Sequence, residues 1–411
     1  MNLVESYLKK HAFRQKLINT LPNTNLGMVI VIPAYIEESI LQPLKALSNC
    51  ATPIKSVEVI VVFNASEEDS EEILQKNINA LSEAKSYYSL LQKPFYDLHF
   101  IVEHHLPKKH AGVGLARKIG MDEAARRLAH INKIEAPIIC FDADSSCEVN
   151  YLKAIENHFN NFPETSAASI HFEHPLDGDL FSSEVYKGIT FYELHLRYYK
   201  NALAFANLPY AFHTIGSSMA VKTIDYCKQG GMNKRKAGED FYFLQKFIKL
   251  GNFSEIKDTM VIPSPRVSDR VPFGTGRAIK EMLEKGRSIE MSYAFKSFRL
   301  IKEALQSLEN WYNGDVETHQ YFIEFVGKEK LLEKVVEIRR QSSNQQLFVK
   351  RFFHWFDAFQ CLKFVHFLRD QYYPNEELNI VVPKLLNEVG LREEFLTEKD
   401  LLLKLRELDR N

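Results

Sequence analysis

Residues 136–145 read APIICFDADS, an unbroken apolar segment that runs into two acids separated by one alanine. A strand with one wet face would alternate apolar and polar positions, so a run without polar relief predicts a strand buried on both faces. Residues 28–33 (MVIVIP) and 57–63 (VEVIVVF) have the same character, and helical periodicity fills the stretches 38–49 and 67–93 near them. Strand alternating with helix requires crossover connections. The pattern therefore predicts an α/β fold with a mostly parallel sheet flanked by helices on both sides. Further strands are expected near 166–174 and 213–222, with a long helix over about 183–206 and another after Gly238. The α/β pattern runs out near Gly276. Beyond it helix follows helix, with 379–382 the one segment of strand character, and an all-α C-terminal domain is expected. The division that follows is an N-terminal helical segment over 1–25, an α/β domain over 26–277 and a helical domain over 278–411.

The chain of 411 residues has room for two such domains at about 100 to 200 residues each. Its 45% hydrophobic and 26% charged residues are those of an ordinary globular protein rather than a disordered one. The 52 basic and 53 acidic residues cancel, which removes the usual electrostatic basis for nucleic-acid binding. Five cysteines, Cys50, Cys140, Cys147, Cys227 and Cys361, are odd in number, far apart and never spaced as C-x-x-C. That spacing argues against a disulfide framework and a zinc site and fits a reducing, cytoplasmic compartment. The first residues, MNLVESYLKKHAFRQ, carry charges where a signal peptide needs an apolar core, and no window approaches the roughly 18 apolar residues of a membrane span. A soluble, unprocessed protein is expected.

Ligands of an open parallel sheet bind beyond the carboxyl ends of its strands, so the residues just after each strand carry the chemistry. They are Pro33-Ala34-Tyr35-Ile36-Glu37-Glu38 after the first strand, Asn64-Ala65-Ser66-Glu67 after the second, and Asp142-Ala143-Asp144-Ser145 after the third. Any one of these could simply cap the next helix, as Ser66, Asp144 or Ser145 could. Three such segments converging on one sheet edge shift the weight toward a site. Asp142 and Asp144 straddle Ala143 at a strand tip and can share one side of the chain. Two close carboxylates repel, and a hard divalent cation, Mg²⁺ or Mn²⁺, relieves that repulsion while bridging phosphate oxygens.

VIPAYIEE, GLARKIG, CFDADS and GEDFYFLQK together resemble the motifs of the family 2 nucleotide-sugar glycosyltransferases with the GT-A fold, in consistent order over about residues 26–277. The resemblance implies a Rossmann-like GT-A sheet and a metal-dependent, inverting transfer of a sugar from a nucleotide-diphosphate sugar to a hydroxyl acceptor. A UDP-sugar is the implied donor, and a glycan, lipid-linked sugar or small molecule the acceptor, as in polysaccharide biosynthesis. It implies a nucleotide pocket at Pro33, Ala34, Tyr35 and Glu37, with Arg117 or Lys118 facing the donor. Asp142, Ala143 and Asp144 would hold ribose, diphosphate and the Mg²⁺ or Mn²⁺ ion. Glu239 and Asp240 would open a helix beneath the acceptor, Asp240 as general base and Glu239 orienting the acceptor or the loop. Where the family commonly has an acidic pair after the second strand, this chain has Phe63-Asn64, and Asn64 is left to accept from a base N–H. Many members also place a metal-binding histidine after the E-D motif, whereas here no histidine lies between Asp240 and His319. Asp269 or Ser268 are the substitutes, or the metal has only Asp142 and Asp144. A retaining transferase, or an inactive glycosyltransferase-like binding subunit, is the alternative.

Three further stretches bear on function. Residues 263–277 hold three prolines, two glycines and Arg266, Arg270 and Arg277, the composition of a loop that folds over something, and its arginines suit a diphosphate. His213 and the segment 214–218 would line the acceptor side, or His213 is an uncharged structural histidine. Residues 345–373 place aromatic side chains on two faces of a helical pattern. This predicts the buried centre of the helical domain in preference to a peripheral membrane contact.

Overall fold

The computed structural model describes residues 3–268, 274–285, 289–392 and 397–411. Its contacts divide the chain into two compact units, one comprising Met1–Val185, Thr214–Lys280 and Arg410, the other Tyr186–His213, Glu281–Asp409 and Asn411.

The elements of the first unit are α1 (Leu3–His11), β1 (Leu26–Ala34), α2 (Leu41–Ser48), β2 (Ser56–Ser66), α3 (Glu71–Leu90), β3 (Tyr96–Leu106), α4 (Val113–His130), β4 (Pro137–Cys140), β5 (Ser146–Cys147), α5 (Tyr151–Asn161) and β6 (Ala167–Phe172). Then come α6 (Ser183–Phe205), which belongs to the second unit from Tyr186 on, β7 (Met219–Lys222), α7 (Thr223–Lys228), α8 (Glu239–Ile248), β8 (Phe253–Ile262) and α9 (Thr275–Lys285), which belongs to the second unit from Glu281 on. The strands form one sheet in the order β3-β2-β1-β4-β7-β6-β8-β5. β3, β2, β1 and β4 run parallel to one another, and β7 enters antiparallel between β4 and β6. This is the mostly parallel, helix-flanked α/β sheet that the apolar runs predict.

β1 lies at the heart of it, with Val29, Ile30, Val31 and Ile32 all fully buried. Each such side chain stabilises the fold by roughly 1.5–3 kcal/mol. α4 packs directly on β1 and β2. A Cβ at Gly120 would stand 2.4 Å from Val31 Cγ1 and 3.0 Å from Val62 Cγ2, so the helix approaches this closely only because residue 120 has no side chain. The apolar runs do not include β3 or β8. In both, buried positions are interrupted by half-buried and exposed ones, and the continuous apolar signal of β1 and β2 is missing. The N-terminal segment is helical only over Leu3–His11, and the residues after it are held by acids of α4. Asp122 Oδ2 accepts from Phe13 N at 3.2 Å, and Glu123 accepts from the amides of Leu17 and Ile18 at 3.2 and 3.1 Å.

The second unit continues with β9 (Met291–Ser292), α10 (Phe295–Leu305), a 3₁₀ turn (Leu308–Tyr312), α11 (Gln320–Val326), α12 (Lys328–Arg340), α13 (Gln345–Trp355), α14 (Ala358–Gln371), β10 (Glu376–Glu377), α15 (Leu378–Glu388) and α16 (Glu398–Arg410). Two expectations are corrected here. Residues 379–382 are not a strand but the first turns of α15, whose buried Leu378, Val381, Val382, Leu385 and Leu386 follow helical spacing. The aromatic stretch 345–373 is two helices, because Asp357 accepts from the amides of Phe359 and Gln360 at 3.0 Å each and starts α14 anew. Both helices contribute buried rings, Phe348, Phe352 and Phe356 from α13 and its end and Phe364 from α14.

Candidate functional site

Because β1, β2 and β4 are parallel, with Ala34 opposite Phe63 and Val31 opposite Cys140, the chain leaves all three at one edge of the sheet. The turn after β1 is fixed by amides. Asn64, nearly inaccessible, donates from Nδ2 to the Ala34 carbonyl at 2.9 Å, and Asn77 Nδ2 donates to the Asn64 carbonyl at 2.9 Å. Asn77 Oδ1 accepts from Ile36 N at 2.9 Å and holds Ile36 in the left-handed region at φ 53°, which a β-branched residue rarely adopts. Pro33 and Ala34 are buried, and Tyr35 is half-buried with its hydroxyl 3.3 Å from Asp69 Oδ1. Asn64 thus serves the backbone, and Asn77 is a supporting residue that the motifs did not mark.

The centre of the edge is Arg117, 3% exposed on α4. Its Nη2 donates to Asp142 Oδ1 at 2.5 Å and its Nη1 to Glu239 Oε1. One guanidinium therefore joins the end of β4 to the start of α8. Its Nε is buried with no partner among the described residues. Two glycines make room. A Cβ at Gly216 would lie 2.5 Å from Arg117 Nη1, and one at Gly114 would lie 2.2 Å from the Arg235 carbonyl and 3.1 Å from Glu239 Cβ. α8 starts at Glu239 after Gly238, whose φ of 66° is left-handed and suits glycine. The Asn233 side chain donates to the Glu239 carbonyl at 2.9 Å.

The two acids of α8 differ in access. Glu239 is buried and engaged by Arg117, whereas Asp240 is half-buried and accepts from the Phe241 amide at 2.7 Å. Burial pushes Glu239 up to about 7, against the pull of Arg117 and with added repulsion from Asp240. Burial also raises Asp240, opposed by Arg117. For Arg117 burial acts downward, but Asp142 and Glu239 outweigh it and hold the guanidinium charged. A carboxylate with raised proton affinity at a helix start is poised to take a proton.

A second arginine, Arg266, serves the other acid of the pair. Its Nε lies 2.5 Å from Asp144 Oδ2, and its Nη1 and Nη2 donate to the two Glu37 oxygens at 2.8 and 3.3 Å. Arg266 thereby brings the Asp144 loop and the turn after β1 together. Lys118 takes no part in these contacts. Its Nζ sits 2.9 Å from the Tyr7 hydroxyl and 3.0 Å from Asp122 Oδ2, in a buried cluster that Tyr226 joins through Asp122 at 2.7 Å. Ala143 is buried, Arg277 is half-buried at the start of α9, and Arg270 and Asp269 lie outside the described residues. In the second unit His213 Nε2 is 2.9 Å from Asp409 Oδ2, a side-chain pairing within that unit.

Among the described residues no group of three or more His, Cys, Asp or Glu side chains is arranged to hold a metal. Also among them, no helix is long and apolar enough to cross a membrane.

No family model matches the chain, and no curated protein matches it. Solved structures do. The S. aureus TarS 1-349 complex with UDP-GlcNAc is similar at 14% identity over 70% of this chain and 78% of that one, with a TM-score of 0.40. The mannosyltransferase PcManGT from Pyrobaculum calidifontis, in complex with GDP-Man and Mn²⁺, is similar at 14% identity over 99% of this chain and 92% of that one, with a TM-score of 0.35. The roles of individual residues rest on the geometry of this chain.

Proposed function

We propose that this chain is an inverting glycosyltransferase that moves a sugar from a nucleotide-diphosphate sugar, a UDP-sugar first among them, to the hydroxyl of a glycan, lipid-linked sugar or small molecule. The observation that carries the reading is the Arg117 bridge. It ties Asp142 at a strand end, where a donor diphosphate belongs, to the Glu239-Asp240 helix start, where an acceptor belongs.

Asp240, the more accessible of the two α8 acids, takes the proton of the acceptor hydroxyl as its oxygen attacks the anomeric carbon. Glu239, held by Arg117, keeps the start of α8 in place and raises the proton affinity of the pair. Arg266, already reaching from Glu37 to Asp144, supplies a cation for a departing diphosphate. Pro33, Ala34 and Tyr35 form the floor on which the nucleoside lies.

The donor set also fits a divalent cation. Asp142, 36% exposed, and Asp144, 23% exposed, supply hard oxygen atoms from two carboxylates, and Mg²⁺ or Mn²⁺ is commonly held by one or two carboxylates together with substrate phosphates. When bound, such an ion neutralises diphosphate charge and eases departure of the leaving group.

The test is incubation with UDP-, GDP-, CMP- and dTDP-sugars with Mn²⁺, measuring release of nucleotide and, by NMR, the anomeric configuration of the transferred sugar. Release of a nucleoside diphosphate with inversion is expected. Retention of configuration would discard the base assignment, and no binding or turnover of any donor would discard the transferase reading.

A further inference from the structure

We propose that Cys50 and Cys147 are a redox modification site, a dithiol that a peroxide converts reversibly to a disulfide. The cross-link ties the end of α2 to the strand that follows the acid pair. The sequence separates these cysteines by 97 positions, yet the fold sets their sulfurs 3.8 Å apart. Cys50 follows α2, and Cys147 ends β5, three residues beyond Asp144.

The backbone around them is already joined. Ala51 N donates to the Val149 carbonyl at 2.7 Å, and Cys50 Sγ lies 3.7 Å from the Glu148 carbonyl. A disulfide needs its sulfurs about 2.05 Å apart, so bond formation asks for an approach of under about 2 Å between the two sulfurs. Cys147 is half-buried, which opens a route for a small oxidant, while Cys140, Cys227 and Cys361 are buried. The hydrogen bond from Cys147 lowers the Cys50 thiol below its usual range, which makes Cys50 the sulfur that ionises first.

The chemistry balances with a hydroperoxide as oxidant. Cys50 thiolate attacks the peroxide, an S–O bond forms as the O–O bond breaks, and the leaving hydroxide is protonated to water. Cys147 sulfur then attacks the sulfenic sulfur of Cys50. The S–S bond forms, the S–O bond breaks and a second water leaves. Two thiols have lost two protons and two electrons, and hydrogen peroxide has become two waters. A dithiol such as dithiothreitol reverses the change. This assignment stands apart from the identity of any donor sugar.

The full chain would be treated with a small excess of hydrogen peroxide, alkylated under denaturing conditions and mapped by peptide mass spectrometry. The expected result is loss of two of the five thiols, a peptide pair joined through Cys50 and Cys147, and full recovery with dithiothreitol. The oxidised protein should melt a few degrees higher, because a cross-link across so long a loop restricts the unfolded chain. Cys50→Ser or Cys147→Ser should abolish the joined peptides while Cys227→Ser keeps them. If a serine variant does not fold, the wild-type peptide map decides alone. Retention of all five thiols, oxidation of Cys147 to sulfinic acid without cross-linking, cross-links only between chains or only in denaturant, or a lower melting temperature on oxidation would each overturn the assignment.

Discussion

Two buried arginines, one in each unit, are each bound by two carboxylates, and the contrast between them separates a structural network from a site. In the second unit Arg197 donates to Glu193 at 2.7 Å and to Asp409 at 2.6 Å. Those acids are in turn surrounded. Glu193 accepts from Arg406 at 2.8 Å on each oxygen, and Asp409 meets Lys200 at 3.0 Å, Asn201 at 2.9 Å and His213 at 2.9 Å. Cations at least match anions there, and although burial opposes it, His213, Arg197 and Lys200 hold Asp409 well below the usual carboxylate range. Around Arg117 the balance is reversed. Asp142, Glu239 and Asp240 share one guanidinium whose Nε has no partner among the described residues, and burial leaves Glu239 and Asp240 with raised proton affinity. A buried network with its charges matched fixes a fold; one with surplus negative charge and an exposed carboxylate edge is set to receive a cation or a proton.

The contrast breaks most visibly in turnover. Asp240→Asn removes the proposed base while keeping size and the Phe241 contact, and should lower kcat about a hundredfold to ten-thousandfold with donor affinity nearly unchanged. Equal loss in Glu239→Gln with full activity in Asp240→Asn would move the role to its neighbour. Next comes stability. Asp409→Ala removes the buried acid shared by Arg197, Lys200 and His213 and should cost about 3–5 kcal/mol in a denaturant titration. A loss below about 1 kcal/mol would mean that the second network is as dispensable as a surface pair.

Asp142→Ala sharpens the contrast. Arg117 keeps Glu239, so the unfolding midpoint should scarcely move while metal-dependent nucleotide binding, read by calorimetry with and without Mn²⁺, disappears. A destabilised protein with intact nucleotide binding would place Asp142 with the structural acids.

The smallest effect is one of sign. Glu239 has a folded-state pKa raised to about 7, so its stabilising contribution is complete below the ordinary carboxyl range and is lost as pH rises toward 7. Asp409, held low, contributes above the ordinary range and loses that contribution as pH falls. Melting curves should therefore show wild type losing stability relative to Glu239→Gln between about pH 4.5 and pH 7, with ordinary carboxyl values as reference. Relative to Asp409→Asn, wild type should gain as pH rises from the acid range toward about pH 5. Parallel pH profiles for both pairs would remove the electrostatic distinction.

The sequence by itself determined β1, β2 and β4, because strands buried on both faces need continuous apolar residues, and that is a local pattern. It also marked the acids at their ends and at the start of α8. It did not show β3 and β8, whose burial is one-sided or interrupted, nor the break at Asp357 that divides one aromatic stretch between two helices. Partnership was decided by tertiary structure alone. Arg117 and Lys118 are adjacent, but successive helix residues point about 100° apart, and α4 is buried nearly all round. One side chain therefore meets Asp142 and Glu239, 25 and 122 positions away, while the next meets Tyr7, 111 positions away. The same packing closes 97 positions between Cys50 and Cys147 to a sulfur contact. Residue type and spacing record what a short segment prefers; which charge or thiol faces which is fixed only when helices and strands from distant segments pack together.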